Sequence, residues 1–190
     1  LGDGGAAAVS VSRLGCFDFV LGTQYLMGSI PTFRAPALFD PKDVDAPALQ
    51  ATISKWTSFY KRFRANRPSG ASGVLVEKLL HLHRPDSRSL EAVAHVTADN
   101  STDERGLLAL INPTSRTMNL SLQVPLYYAG LATGSRVTLR AVDLSSHEGR
   151  AAPSPAPSAH MVGEDGAGPF GFIVKVSQPP RSYAAFTIQL

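Results

Sequence analysis

His81 and His83 stand two residues apart in an alternating apolar run, so on a strand both would project from one face. A third imidazole opposite them, such as His95, would complete a three-ligand metal site; the competing reading is a pair of ordinary sheet histidines beside the turn from Arg84 to Arg88. Spacing fixes only two of the three ligands, so no metal is assigned. Carboxylates are the next candidates, because hydrolysis by general acid and base takes two of them held at a defined separation. Asp18 lies inside the apolar run Leu14 to Gly22 and Asp40 in a loop, settings in which a carboxyl pKa can rise. Each also has a structural reading, Asp18 as a residue bonded to backbone at a strand end and Asp40 as a turn former before Pro41. Asp86, Asp99, Asp103, Glu104 and Asp143 fall in expected turns or strand ends and form no pair. Asp18 and Asp40 are thus the catalytic candidates, and neither is assigned the role. The adjacent Tyr127 and Tyr128 could stack on a sugar ring, or fill a packed corner between Leu126 and Leu131. Asn100 and Asn119 each open an N-glycosylation sequon, while Pro113 blocks the one at Asn112. No nucleophile elbow, HExxH, P-loop or dinucleotide fingerprint occurs, so no cofactor is expected.

These residues need elements to hold them. With 190 residues, 44% hydrophobic and 17% charged, the chain has the composition of a globular protein and enough length for one domain plus a sizeable appendage. The formal net charge of +3 is concentrated near Lys61, Arg62, Arg64 and Arg67, too local for a nucleic-acid surface. That run reads instead as the last turn of a helix, where cations complement the dipole. Cys16 is the single cysteine, which excludes an internal disulfide and leaves the redox compartment open; the two sequons favour a secreted or extracellular setting. No apolar stretch is long enough to span a membrane, and no signal peptide opens the chain, which is expected to be a fragment.

Three regions follow. Leu14 to Gly22 is continuously apolar, which fits a doubly buried strand or a short core helix, and the prolines at 31 and 36 make the next segment an extended loop. Asp45, Pro47 and the recurrence of Leu49, Ile53, Trp56, Tyr60 and Phe63 at spacings of three and four predict a helix over residues 45 to 66, ended by Pro68 and Gly70. At about 1.5–3 kcal/mol per buried large side chain, its apolar face must dock firmly, on residues 1 to 44 or on a partner domain. From residue 73 onward, period-two runs separated by turns predict an antiparallel sheet: 74–82, 90–97, 106–112, 117–124, then strands around Leu139, Val174 and Ile188. About seven strands, each with one polar face, predict a mainly β fold, a two-sheet antiparallel β-sandwich over residues 73 to 190. The Pro/Ala/Ser/Gly-rich loop at 151 to 169 is expected to be flexible and is assigned no structure.

Four blocks then acquire a common meaning: Lys55 to Arg64, His81 to Arg88, Gly106 to Thr114 and Pro125 to Leu131. In order and over about residues 14 to 190, the chain resembles the C-terminal region of large, poorly characterised glycoside hydrolases, in which a helix closing a catalytic barrel leads into a β-sandwich domain. The resemblance implies that residues 1 to 68 are a short α/β remnant of that barrel and that Arg34 lies near the substrate side. It also implies that the acid and nucleophile belong to an upstream catalytic barrel of the same polypeptide, so that this chain alone is inactive and its sandwich braces the barrel. Two departures stand out: Ser87 occupies a hairpin position where such proteins usually have glycine, and the 151 to 169 loop looks inserted. The alternative is a stand-alone carbohydrate-binding or structural β-sandwich module.

Overall fold

The computed structural model describes residues 13–29, 31, 45–64, 78–83, 86–98, 103–131, 135–144, 160–161 and 171–190. The apolar run opening the chain is a helix, α1 (Arg13–Leu26), which overturns the strand alternative. Its end forms a Schellman cap: Gly28 takes a φ of 77°, its N–H bonds to the Tyr25 carbonyl, and the Ser29 N–H reaches the Gln24 carbonyl. Helix α2 (Ala46–Arg64) follows as its spacing predicts, with Lys61, Arg62 and Arg64 in the last turn. The strands are β1 (Lys78–His83), β2 (Glu91–Val96), β3 (Glu104–Asn112), β4 (Met118–Pro125), β5 (Thr138–Ala141), β6 (His160–Met161), β7 (Gly171–Gln178) and β8 (Ser182–Gln189), with a 3-10 turn, Leu126–Ala129, after β4. They form two antiparallel sheets, β1-β2-β3-β8-β5 and β4-β7-β6. The seven expected strands are all present. An eighth, the two-residue β6, pairs with β7 from within the segment that the sequence left without structure.

Two cores share the larger sheet. Ala92, Ala94, Val96, Leu108, Leu110, Phe186 and Ile188 point toward Leu122, Val124, Val174 and Val176 of the smaller sheet. Their neighbours Val93, Leu107, Ala109, Ile111 and Ala185 point the other way, onto Leu21, Tyr25, Leu26, Trp56, Phe59 and Phe63 of the helices. The expectation of one polar face per strand therefore fails for β2, β3 and β8, because the helices cover the side that water was expected to occupy. The helices form a third layer on the sandwich, and among the described residues no strand precedes β1 and no barrel remnant is detected. Gly22 lets that layer close, since a Cβ there would sit 2.6 Å from Trp56 Cζ2.

The β1–β2 hairpin turns through Asp86, whose Oδ1 accepts from the N–H groups of Arg88 (2.8 Å) and Ser89 (2.9 Å). Ser87 between them has a φ of 56°, the left-handed region that a side chain adopts at a cost. This gives the departure from glycine at 87 a physical meaning. Ser87→Gly is expected to stabilise the fold by about 0.5–1 kcal/mol, less the extra entropy glycine gives the unfolded chain, as a higher urea midpoint. No gain, or a loss, would show that the turn is not strained there.

Asn112, a blocked sequon and the end of a strand in the sequence, locks two turns at one end of the sandwich. Its Nδ2 donates to the carbonyls of Arg116, Gln178 and Pro179 at 2.7–2.9 Å, and its Oδ1 accepts from Thr114 N–H and Oγ1. A fully buried amide so completely satisfied is structural.

Candidate functional site

The three histidines do not assemble. Register places Leu79, not His81 or His83, opposite His95, and an irregularity between His81 and His83 breaks their shared alternation. His81 is exposed, whereas His95 is buried beneath the end of α1. Its Nε2 lies 2.7 Å from the Leu26 carbonyl, and since a carbonyl only accepts, that nitrogen carries the proton. Gly28 abuts the same ring, where a Cβ would lie 3.0 Å from Cε1. No group of three His, Cys, Asp or Glu side chains able to hold a metal occurs among the described residues.

Burial pushes the His95 pKa below its usual 6.5, and the bond to Leu26 offsets this only in part. The unfolded chain then binds the proton more readily than the folded one. The stability tied to this group is present above pH 6.5 and is lost as pH falls from there through the lowered folded pKa. Urea midpoints measured from pH 7.5 to 5 should decline less steeply in His95→Gln than in the parent, and identical slopes would contradict the assignment.

Asp18 is brought to the centre of a polar network that the sequence did not reveal. Trp56 Nε1–H donates to its Oδ1 at 2.8 Å, the Tyr183 hydroxyl donates to its Oδ2, and Lys55 Nζ lies 2.6 Å from Oδ1. Lys55 also reaches the Tyr183 hydroxyl at 3.3 Å and stands 4.8 Å from the centre of the Trp56 ring. α1, α2 and β8 each contribute, across sequence separations of 38 and 165 residues, which is why no local spacing announces the cluster. Burial, together with the charge and hydrogen bond of Asp18, raises the Tyr183 pKa far above the usual phenol range, so this hydroxyl stays protonated and acts as a donor. With Trp56, Tyr183 and Lys55 all directed at its two oxygens, the carboxylate is taken up in holding these elements together. The network is a bracket between helices and sheet.

A Ser-His-Asp grouping also appears, at the β1–β2 turn, where the Ser89 hydroxyl lies 2.8 Å from Asp86 Oδ1 and 3.5 Å from His83 Nδ1. In a hydrolytic triad the histidine stands between serine and aspartate. Here the serine stands in the middle and its O–H donates a hydrogen bond to the carboxylate, so the histidine is not placed between them as a triad requires. The backbone N–H of Arg88 and the Ser89 hydroxyl hold the Asp86 carboxyl below its ordinary pKa.

Tyr127 and Tyr128 are solvent-facing. The turn that carries them buries Leu126 and Ala129 in the inter-sheet core and leaves the two tyrosines 73% and 44% exposed. Their rings meet edge to face, with centroids 5.6 Å apart and planes at 77°. The flanking leucine thus anchors the turn without covering the rings. Gly130, at a φ of 69°, ends the turn and packs beside Ala98. Asn119 is exposed on β4. Asp40, Arg34 and Asn100 lie outside the described residues.

No protein-family model matches the chain, and no curated protein does. Among solved structures it is similar to a pullulanase from Bacillus acidopullulyticus, with 9% identity and a TM-score of 0.44, over 95% of this chain and 21% of that one. The chain therefore spans about a fifth of the length of that relative. Among the described residues no helix is long and apolar enough to cross a membrane.

Proposed function

We propose that the chain is a non-catalytic β-sandwich module of a carbohydrate-active protein and that it holds a saccharide against Tyr127 and Tyr128. The observation that carries this reading is the exposure of two adjacent aromatic rings on a turn anchored from beneath. A pyranose ring has an apolar C–H face that stacks on an aromatic plane and a rim of hydroxyls that a phenol can bond. Rings set at 77° offer one face for stacking and a second hydroxyl beside it. Asp18, by contrast, has its oxygens engaged by Trp56, Lys55 and Tyr183, which supports a module without its own acid or nucleophile. The four sequence blocks that resemble glycoside hydrolases point in the same direction.

Within this reading the catalytic acid and nucleophile belong to an upstream barrel of the same polypeptide, acting outside the cell. Bracing of that barrel is a second role, favoured by α1, which leaves Cys16 and Val20 exposed. A glycan array followed by calorimetric titration tests the main reading. The chain should bind at least one class of polysaccharide, and Tyr127→Ala with Tyr128→Ala should weaken binding at least tenfold at unchanged melting temperature. Equal binding by parent and variant would sink it.

A further inference from the structure

We infer that the saccharide site continues from the tyrosine pair along the outer face of the three-stranded sheet, as a polar track for a chain of several sugar units; this rests on the function proposed above. On β4, Leu120, Leu122 and Val124 turn inward, so Asn119, Ser121 and Gln123 share the outer face. On β7, Val174 and Val176 turn inward, and Lys175 and Ser177 face out. Register joins them into rungs: Asn119 opposite Ser177, Ser121 opposite Lys175, and Gln123 opposite Ile173. The five polar side chains are all exposed.

Their chemistry selects the ligand. Amides, hydroxyls and one ammonium provide donors and acceptors in alternation, the complement of vicinal sugar hydroxyls, directly or through bridging water. A protein partner would favour aromatic and Arg-rich surface over Ser and Lys, and a nucleic acid would need more than one cation. The five residues from Asn119 to Gln123 span four steps of strand, roughly 14 Å, longer than a single ring requires. The strand runs toward Pro125, after which the turn carrying Tyr127 and Tyr128 begins. The aromatic pair thus stands at the end toward which the ladder runs, anchoring one sugar unit while the track guides those that follow.

The test uses the whole chain made in a bacterial cytoplasm, so that Asn119 carries no glycan. Gluco-, xylo- and manno-oligosaccharides of two to six units serve as probes in calorimetry. Affinity for the sugar that binds should rise at least tenfold from two to six units. Gln123→Ala with Lys175→Ala should abolish that rise and leave the shortest bound probe unaffected, whereas Tyr127→Ala should weaken every length. Binding that does not strengthen with length, or a rise that survives the Gln123 and Lys175 changes, would overturn the track and leave the tyrosine site standing. No binding at any length would remove both. Surface substitutions of this kind leave the fold intact, and an unchanged melting temperature verifies that.

Discussion

Trp56→Ala is expected to destabilise the protein by about 3–5 kcal/mol, the range for truncating a large buried aromatic. Against a typical total of about 5–15 kcal/mol, that is enough to lower the urea midpoint by about a fifth or more. Trp56 is fully buried, its ring stacks with Tyr25 at 6.2 Å and meets Tyr183 edge to face at 5.1 Å, and its N–H bonds to Asp18. Removing it opens a cavity at the point where both helices meet the sheet. Since this is the sole tryptophan, unfolding has to be followed by circular dichroism. A loss below about 1 kcal/mol would mean that the site collapses freely, and that the helical layer is not firmly packed on the larger sheet.

Asp18→Ala is the second large effect, expected at about 2–3 kcal/mol. The substitution strands the Trp56 N–H, the Tyr183 hydroxyl and the Lys55 ammonium together. The figure is held below that for a fully buried ion pair because Lys55 and Asp18 retain 15% and 25% of their side-chain exposure. Asp18→Asn keeps an acceptor and should cost less. If alanine and asparagine were both neutral, the cluster would be no bracket, and a chemical role for Asp18 would regain ground.

The sequence was most informative where a pattern is local. Residues 49 to 63 repeat at helical spacing, and α2 follows with its ends close to those expected. The hairpin and strand turns were legible from Pro, Asp, Asn and Ser for the same reason. α1 was ambiguous because Leu14 to Gly22 is apolar apart from Asp18, which leaves no period to read. The double burial of β3 had a signal in Leu107, Leu108, Leu110 and Ile111, a run without alternation, and that signal implies cover on both faces.

Site residues were harder, because their partners are distant in sequence. Asp18 meets Tyr183 across 165 residues, and His95 meets the Leu26 carbonyl across 69. An irregularity in β1, invisible to spacing, separates the histidines that looked like ligands. At Tyr127 and Tyr128 the flanking leucine suggested a packed corner. The 3-10 turn instead sends Leu126 inward and both rings outward.

The proposed role turns on those two rings. Calorimetric titration of the parent chain and of the Tyr127→Ala, Tyr128→Ala double variant, each against the polysaccharide class that the array identifies, tests it most directly. The parent should bind measurably and the variant at least tenfold more weakly, with the melting temperature unchanged. Undiminished binding by the variant, or a parent chain that binds no polysaccharide, would contradict it.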